Sequence, residues 1–279
     1  MPCPSPQRAT ELELARQSTQ SVRARAPRAV RPSAMDVAAA AAVAGVEPFP
    51  TVDKCDASCR GAHAVAADLD GTLLRSRSAF PYYALVAFEA GGVPRLLLLL
   101  LLSPVAAALR LLLGSEAAAA TRVLVFAATA GARVADIESA ARAVLPRFYA
   151  ADVHPGAWRV FSACARRRVV LTATPRVMAE PFLRECLGAD AVAGTELATW
   201  RGRATGFVDA RMGVLVGRRK AEALREIFSG DGDGDGGVPD VGLGDSRSDY
   251  PFMSICKVST VVTAINLQII RTAVCTVRT

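Results

Sequence analysis

Lysine, histidine and aromatic residues are scarce in this sequence. Of its 279 residues three are lysine and two are histidine, and aromatic residues amount to 6%. Almost all of the positive charge behind the formal net charge of +7 is therefore arginine, and it is scattered without interleaved aromatic side chains. This argues against a nucleic-acid-binding surface, which clusters basic and aromatic residues. An anionic membrane surface or a phosphate-bearing substrate agrees better with it.

The sequence also lacks a regular cysteine pattern. It has seven cysteines at irregular spacing, and Cys55 and Cys59 have no second pair that would complete a zinc site. We therefore expect free thiols in a reducing compartment rather than disulfides or a metal centre.

The N-terminal region is rich in proline, serine and arginine. We expect residues 1–46 to form a disordered extension. An organelle transit peptide is the alternative, but Glu11 and Glu13 count against it. Met35 precedes an alanine run and is the start site that we expect.

Apolar residues are abundant, at 52% of the chain with a mean hydropathy of +0.28. Residues 96–109 are nearly all apolar between Arg95 and Arg110, although Ser103 and Pro104 interrupt them. This run is shorter than the roughly 20 residues that a membrane-spanning helix needs. It predicts a re-entrant or interfacial helix pair, or the core of a helical cap, and we favour membrane contact.

Two aspartates follow a predicted buried strand. Residues 65–69 are apolar apart from Asp68 and predict a short buried strand, and Gly71 permits the tight turn that ends it. One residue separates Asp68 from Asp70. Because side chains alternate between the two sides of a strand, both carboxylates would point into the same site. Such a pair suits covalent phosphoryl transfer, in which one carboxylate attacks and the other moves protons. The alternative is a polar strand end that caps a turn.

Further polar residues follow predicted elements in an order that would complete such a site. Thr172 ends a β-branched strand, with Thr174 as the alternate hydroxyl in the same turn. Lys220 begins a helix, and Asp245 and Asp249 follow another strand. Strands that alternate with helices predict a parallel sheet whose strand ends share one edge. There a hydroxyl and an ammonium can hold phosphoryl oxygens while carboxylates hold Mg²⁺.

Taken singly, each of these residues has an ordinary explanation as a turn residue, a solvated helix face or a cap. The residues occur together in one order along the chain, and several longer stretches accompany them. These are AADLDGTLL at 66–74, SRSAFPY at 76–82, VLPRFY at 144–149, PRVM at 175–178, GAD at 188–190, GTEL at 194–197, GRATGF at 202–207 and GLGD at 242–245. The motifs resemble the haloacid dehalogenase (HAD) superfamily of phosphatases. Residues 47–257 are similar to the N-terminal half of the land-plant glycerol-3-phosphate acyltransferases of cutin and suberin lipid synthesis.

The resemblance implies an α/β fold with a Rossmann-like parallel sheet. Its core would comprise residues 63–75 and 155–257, and an apolar helical cap or membrane-associated insert would occupy residues 76–154. The resemblance further implies that Asp68 is the nucleophile and Asp70 the acid–base residue. Thr172 and Lys220 would bind the substrate phosphate. The Mg²⁺ ligands that it implies are Asp68, Asp70, Asp245 and Asp249.

Members of this family also carry a C-terminal acyltransferase domain with an HxxxxD motif. Here His154 has Arg159 where that motif needs aspartate, and His63 is followed at this spacing by Asp68, which belongs to the phosphatase strand. We therefore expect a chain that ends before the acyltransferase domain, with residues 258–279 as a divergent tail. Residues 258–265 could replace the last core strand or leave the sheet incomplete.

Three functions follow from these observations. The first is a Mg²⁺-dependent phosphatase domain that converts lysophosphatidic acid to 2-monoacylglycerol. The second is a catalytically silent, membrane-bound fragment or partner module of the acyltransferase, and the third is a HAD phosphatase with a soluble substrate. The resemblance implies association with a membrane, expected to be the endoplasmic reticulum, with the active site facing the cytosol.

Overall fold

The computed structural model describes residues 49–58, 60–113, 118–229 and 237–262. The expected N-terminal extension, residues 1–46, lies outside these ranges, and the expected tail lies outside them from residue 263 onward. The cysteines within the described ranges are free thiols, as the sequence predicts: Cys55, Cys164, Cys186 and Cys256.

A parallel β-sheet forms the centre of the fold. The strands are β1 (Ala64–Asp68), β2 (Arg167–Pro175), β3 (Ala191–Thr195), β4 (Leu197–Trp200), β5 (Arg203–Val208), β6 (Val241–Gly244) and β7 (Val258–Val261). Among the described residues five of them form one sheet in the order β3-β2-β1-β6-β7, all parallel, while β4 and β5 form an antiparallel hairpin. The predicted α/β class with a parallel sheet is confirmed.

Helices cover both faces of this sheet. They are α1 (Phe80–Leu113), α2 (Ala118–Thr129), α3 (Val134–Ala143), α4 (Leu145–Asp152), α5 (Pro155–Ala163), α6 (Arg176–Glu185), α7 (Arg218–Ser229) and α8 (Tyr250–Met253). Alternate residues of β1 enter two different clusters, because successive side chains of a strand point to opposite faces. Val65 and Ala67 pack with the core that includes α1 to α6, whereas Ala64 and Ala66 pack with α7 and α8.

The long insertion between β1 and β2 contains α1 to α5, and α1 to α4 lie within residues 76–154, where the sequence predicts a cap. Its first helix differs from the prediction. α1 has 34 residues, with a positive φ of 69° at Gly92 and prolines at positions 94 and 104. Its mean hydropathy over the most apolar window is 2.5, and only 11% of that window is buried. By length and composition this helix is sufficient to cross a membrane, but the non-helical backbone at Gly92 divides it into two helical segments.

Residues 134–152 form two helices rather than one. α3 and α4 are divided at Val144, because Pro146 occupies the first turn of α4 and lacks the amide that a continuous helix needs. At the edge of the sheet, β7 pairs in parallel with β6, with Val258 opposite Val241. Residues 258–261 therefore supply the edge strand, and the sheet extends beyond the predicted boundary at residue 257.

Gly242 of β6 packs so closely against residues in and next to β7 that a larger side chain would not fit there. An added Cβ would lie 2.6 Å from Ser259 Oγ and 2.9 Å from Cys256 Sγ. We expect Gly242→Ala to lower the free energy of unfolding by about 1–3 kcal/mol, the usual cost of overpacking a core. Thermal or urea unfolding of the purified chain measures this change.

Gly61→Ala is the matched control, since an added Cβ there meets nothing within 4 Å. It should leave the unfolding midpoint close to that of the wild type. If both variants unfolded like the wild type, the packing described between β6 and β7 would be incorrect.

Candidate active site

The carboxyl ends of the central strands meet at one edge of the sheet. β1 lies between β2 and β6, and all three run parallel. Asp68 is the last residue of β1, and Asp245 follows directly after β6. Gly71 takes a φ of +86° after Asp70, and a Cβ at this position would overlap Asp245 Oδ2. The turn after β1 therefore requires glycine, both for its backbone conformation and for the space beside Asp245.

Lys220 lies at the centre of the site and joins two carboxylates. It belongs to the first turn of α7 and is buried. Its Nζ donates to Asp68 Oδ1 at 2.5 Å and to Asp249 Oδ1 at 2.7 Å. Burial by itself lowers the pKa of an ammonium group, but the charges of Asp249 and Asp68 outweigh it and raise the pKa of Lys220. Lys220 is therefore a permanent positive charge among buried acids.

The carboxylate of Asp70 bonds to a threonine rather than to Lys220. Thr174 Oγ1 donates to Asp70 Oδ2 at 2.8 Å. The other oxygen, Oδ1, is buried and has no hydrogen-bond partner among the described residues. Burial raises the pKa of Asp70, which favours the protonated form that a general acid needs. The two aspartates of the first motif thus occupy different environments.

The two threonines at the end of β2 differ in their position relative to the site. β2 continues to Pro175, so that Thr174 lies nearer to its carboxyl end and lines the cavity beside the carboxylates. Thr172 is fully buried, does not line that cavity, and accepts a hydrogen bond from the Thr174 amide at 3.0 Å. The assignment of Thr172 to the substrate phosphate stays a prediction, and the structure favours the alternate, Thr174, as the hydroxyl that lines the cavity.

Three carboxylates lie close enough together to share a cation. One oxygen from each of Asp68, Asp245 and Asp249 lies within 4.8 Å of the others. Burial raises the pKa of Asp245 to about 6, and the charge of Asp249 is the second contribution. The same two causes, in the same order, raise the pKa of Asp68. Because clustered carboxylate oxygens are the ligands that Mg²⁺ prefers, this donor set fits the predicted metal. The carboxylate of Asp70, the fourth predicted ligand, lies outside the set.

Asp249 also orders the loop after β6. Its Oδ2 accepts hydrogen bonds from the Ser246 amide at 3.2 Å and from Ser246 Oγ at 2.7 Å, while Ser246 Oγ lies 2.8 Å from Ser248 Oγ. The sequence prediction identified Asp249 but not the two serines. The only indication of these serines in the sequence was that they come shortly after a predicted strand end.

A cavity of about 430 Å³ adjoins these residues. At its polar end it is lined by Asp68, Asp70, Thr174, Lys220, Asp245, Ser246, Ser248 and Asp249. Arg77 and Arg110 also line it. Arg77 Nε lies 2.9 Å from Asp245 Oδ2, and Arg110 donates to the Arg77 carbonyl oxygen at 3.1 Å. Sequence reasoning did not identify these arginines as site residues, because cap packing brings them to the sheet edge.

Comparison with protein families and curated proteins identifies relatives. The family described as "Glycerol-3-phosphate acyltransferase RAM2-like, HAD-like domain" matches residues 64–262. Glycerol-3-phosphate acyltransferase RAM2 of Petunia hybrida is 55% identical over 194 residues, which are 70% of this chain and 39% of that protein. Glycerol-3-phosphate acyltransferase 1 of Arabidopsis thaliana is 35% identical over 202 residues, 68% of this chain and 32% of that protein. The chain thus covers less than two fifths of the length of either relative.

A solved structure shares the fold. A protein of unknown function from Bordetella pertussis Tohama I has a TM-score of 0.52 and 19% sequence identity, and the alignment covers 76% of this chain and 96% of that one. At this level of identity the likeness concerns the fold alone. The family match confirms the resemblance to the acyltransferases that the sequence indicated.

The pairing of Lys220 with buried carboxylates predicts a pH-dependent loss of stability when the ammonium is removed. We expect Lys220→Met to lower the free energy of unfolding by about 3–5 kcal/mol at pH 7.5, because it leaves buried charges uncompensated. Without the ammonium, burial raises the pKa of Asp68 in the folded state further, so that its contribution to stability falls as the pH rises. The loss should therefore be smaller at pH 5, as thermal unfolding at both pH values would measure.

Arg218→Met provides the control, since Arg218 is exposed and lies two residues away in the same helix. It should have little effect at either pH. An equal loss for Lys220→Met at pH 5 and pH 7.5, or no loss, would contradict the role of Lys220 as the counter-charge of the acids.

Proposed function

Because the chain belongs to the glycerol-3-phosphate acyltransferase RAM2-like family and contains its HAD-like domain, we propose that it is a Mg²⁺-dependent phosphatase that converts lysophosphatidic acid to 2-monoacylglycerol. The observation that carries the proposal is the buried contact of Lys220 with Asp68 and Asp249, beside a separately held Asp70. Acylation of glycerol 3-phosphate, the reaction in the relatives' names, would produce the substrate. The product would enter cutin or suberin lipid synthesis.

Asp68 is the nucleophile in this proposal. One of its oxygens attacks phosphorus, the bond from phosphorus to the glycerol oxygen breaks, and an aspartyl-phosphate forms. Lys220 orients the carboxylate through Oδ1, and Thr72 donates its hydroxyl to Oδ2 at 3.3 Å. The fixed ammonium also offsets the charge that accumulates as the anionic carboxylate and phosphate approach one another.

Asp70 transfers the protons. In its protonated form it gives a proton to the departing glycerol oxygen, and as a carboxylate it then accepts one from the water that hydrolyses the aspartyl-phosphate. Thr174 holds one of its oxygens and leaves the other without a protein partner in the described part of the chain. The raised pKa of Asp70 supports this role, because an acid with an ordinary pKa would have lost its proton at neutral pH.

The charge balance of the site supports a metal requirement. Lys220 supplies one positive charge among the carboxylates of Asp68, Asp245 and Asp249, and the substrate phosphate would add negative charge to the same space. These three aspartates would hold Mg²⁺. When bound, the ion would offset the repulsion between the phosphate and the carboxylates.

We further propose that the domain lies on a membrane surface, at the cytosolic face of the endoplasmic reticulum. α1 exposes large apolar side chains to solvent, among them Leu101, Leu111 and Leu112. Tyr83 and Arg110, near opposite ends of α1, both line the cavity that contains the catalytic residues. Because both ends of the helix remain beside the domain, its exposed face would rest on the membrane rather than cross it.

The two first-motif carboxylates should respond differently to substitution. We expect Asp68→Asn to abolish phosphate release from lysophosphatidic acid, since an amide cannot form the aspartyl-phosphate. Asp70→Asn should retain the nucleophile and lose roughly 10²–10⁴-fold in rate, the usual contribution of general acid–base catalysis. Phosphate release by the purified chain, with and without Mg²⁺, measures both effects.

Asp136→Asn removes an exposed aspartate on α3 and should behave as the wild type. An active wild type whose rate is unaffected by Asp68→Asn would refute the mechanism. A folded wild type that releases no phosphate from lysophosphatidic acid or from glycerol 3-phosphate would favour the alternative of a catalytically silent module.

The exposed leucines should determine membrane binding. Leu101, Leu111 and Leu112 are 74%, 86% and 79% exposed, so that replacing all three with glutamine should leave the folded core unchanged. We expect the triple variant to lose co-flotation with phospholipid vesicles while its thermal unfolding midpoint stays near that of the wild type. Trp200→Gln, which replaces an exposed apolar residue on the β4–β5 hairpin, is the control and should float like the wild type. Equal flotation of the triple variant and the wild type would contradict the assignment of the exposed face of α1 to the membrane.

A further inference from the structure

The cavity beside the catalytic residues has a second part between α1 and α2. There the lining comes from small or apolar side chains of the two helices: Phe80, Ala106, Ala107, Ala120 and Leu124. Ala106 and Ala120 pack together in a buried cluster of their own, separate from the two clusters on the faces of the sheet. Small side chains at this helix contact leave a gap that larger ones would fill.

The polar residues that the two helices add to this part include Ser103, Thr121 and Arg110. Ser103 Oγ donates to the Leu100 carbonyl oxygen of its own helix at 2.8 Å. Arg110 donates to the carbonyl oxygen of Arg77, whose guanidinium in turn contacts Asp245. The arginines therefore mark the side of the cavity toward the carboxylates, where an anionic group would be favoured.

The volume of the cavity indicates a ligand larger than phosphate. About 430 Å³ is within the range of pockets that hold a ligand of moderate size, and such pockets are mostly apolar with a few placed polar groups. Here the charged groups lie together, because Lys220 contacts Asp68 and Asp249, and Arg77 joins the same cluster through Asp245. The arrangement is complementary to a molecule with a phosphate at one end and an aliphatic tail at the other.

We propose that the gap between α1 and α2 is the binding subsite for the aliphatic chain of the substrate, and that Ala106, Ala107 and Ala120 determine the chain length that it accepts. This inference rests on the proposed function for the identity of the phosphate site. The head of the substrate meets Asp68 and Lys220, and the tail extends along the alanines. Burial of the tail then contributes binding energy with each methylene until the gap is filled.

The closing experiment measures binding and hydrolysis separately. Binding is followed by calorimetry with Mg²⁺ and a series of monoalkyl phosphonates from methyl to decyl, which cannot be hydrolysed, each below its micelle concentration. For the wild type we expect affinity to rise roughly fourfold per methylene, the value for complete burial, and then to level off. Phosphate release from the corresponding monoalkyl phosphates is measured in parallel.

Two neighbouring alanines provide a matched pair of variants. Ala107 lines the cavity, whereas Ala108 is exposed and does not line it. Ala107→Leu should make the affinity level off at a shorter chain and weaken octylphosphonate binding tenfold or more, and Ala108→Leu should follow the wild type. Ala120→Leu, on the facing helix, should shorten the accepted chain in the same way.

The outcomes separate the subsite from the proposed function. Affinity that does not depend on chain length, no binding of any phosphonate, or equal profiles for Ala107→Leu and Ala108→Leu would overturn the subsite. Phosphate release that continues in such a case would leave the phosphatase intact. Affinity that depends on chain length and on Ala107, with no phosphate release from any alkyl phosphate, would support the subsite and refute the phosphatase.

Discussion

The contact of Lys220 with Asp68 and Asp249 determines how the catalytic edge of the sheet is assembled. It joins the end of β1, the first turn of α7 and the loop after β6, three elements that are distant in the sequence. A buried charge is costly unless it is paired, so that each of these elements must lie where its partner can be reached. Gly71 and Ser246 then adapt the two loops to this geometry, one by a positive φ and the other by hydrogen bonds to Asp249.

One ammonium cannot balance the acids that surround it. Asp68, Asp245 and Asp249 form one group, in which burial raises the pKa of Asp68 and of Asp245, and Asp70 occupies a separate place beside Thr174. Two carboxylates one residue apart thereby acquire different environments, which is how proteins assign a nucleophile and an acid to chemically identical side chains. The remaining negative charge makes the site receptive to a divalent cation.

The cap gives this charged edge an apolar extension. α1 and α2 contribute the alanine-lined part of the cavity, and α1 also carries the exposed leucines on its outer side. The same helix therefore adjoins both the cavity and the surface proposed to meet a membrane. Arg77 contacts Asp245 and Arg110 contacts Arg77, which brings both arginines to the side of the cavity beside the carboxylates. The sheet edge would perform the chemistry, while the cap would select the substrate.

The sequence alone was sufficient to predict the fold class and to select Asp68, Asp70, Lys220, Asp245 and Asp249, because strand periodicity identifies strand ends and parallel strands bring those ends together. It could not decide between Thr172 and Thr174, since that depends on how far β2 continues beside β3. Nor could it identify Arg77 and Arg110, the length of α1 or the pairing of β7 with β6. Each of these depends on packing between segments far apart in the chain, and local patterns of polarity carry no information about such contacts.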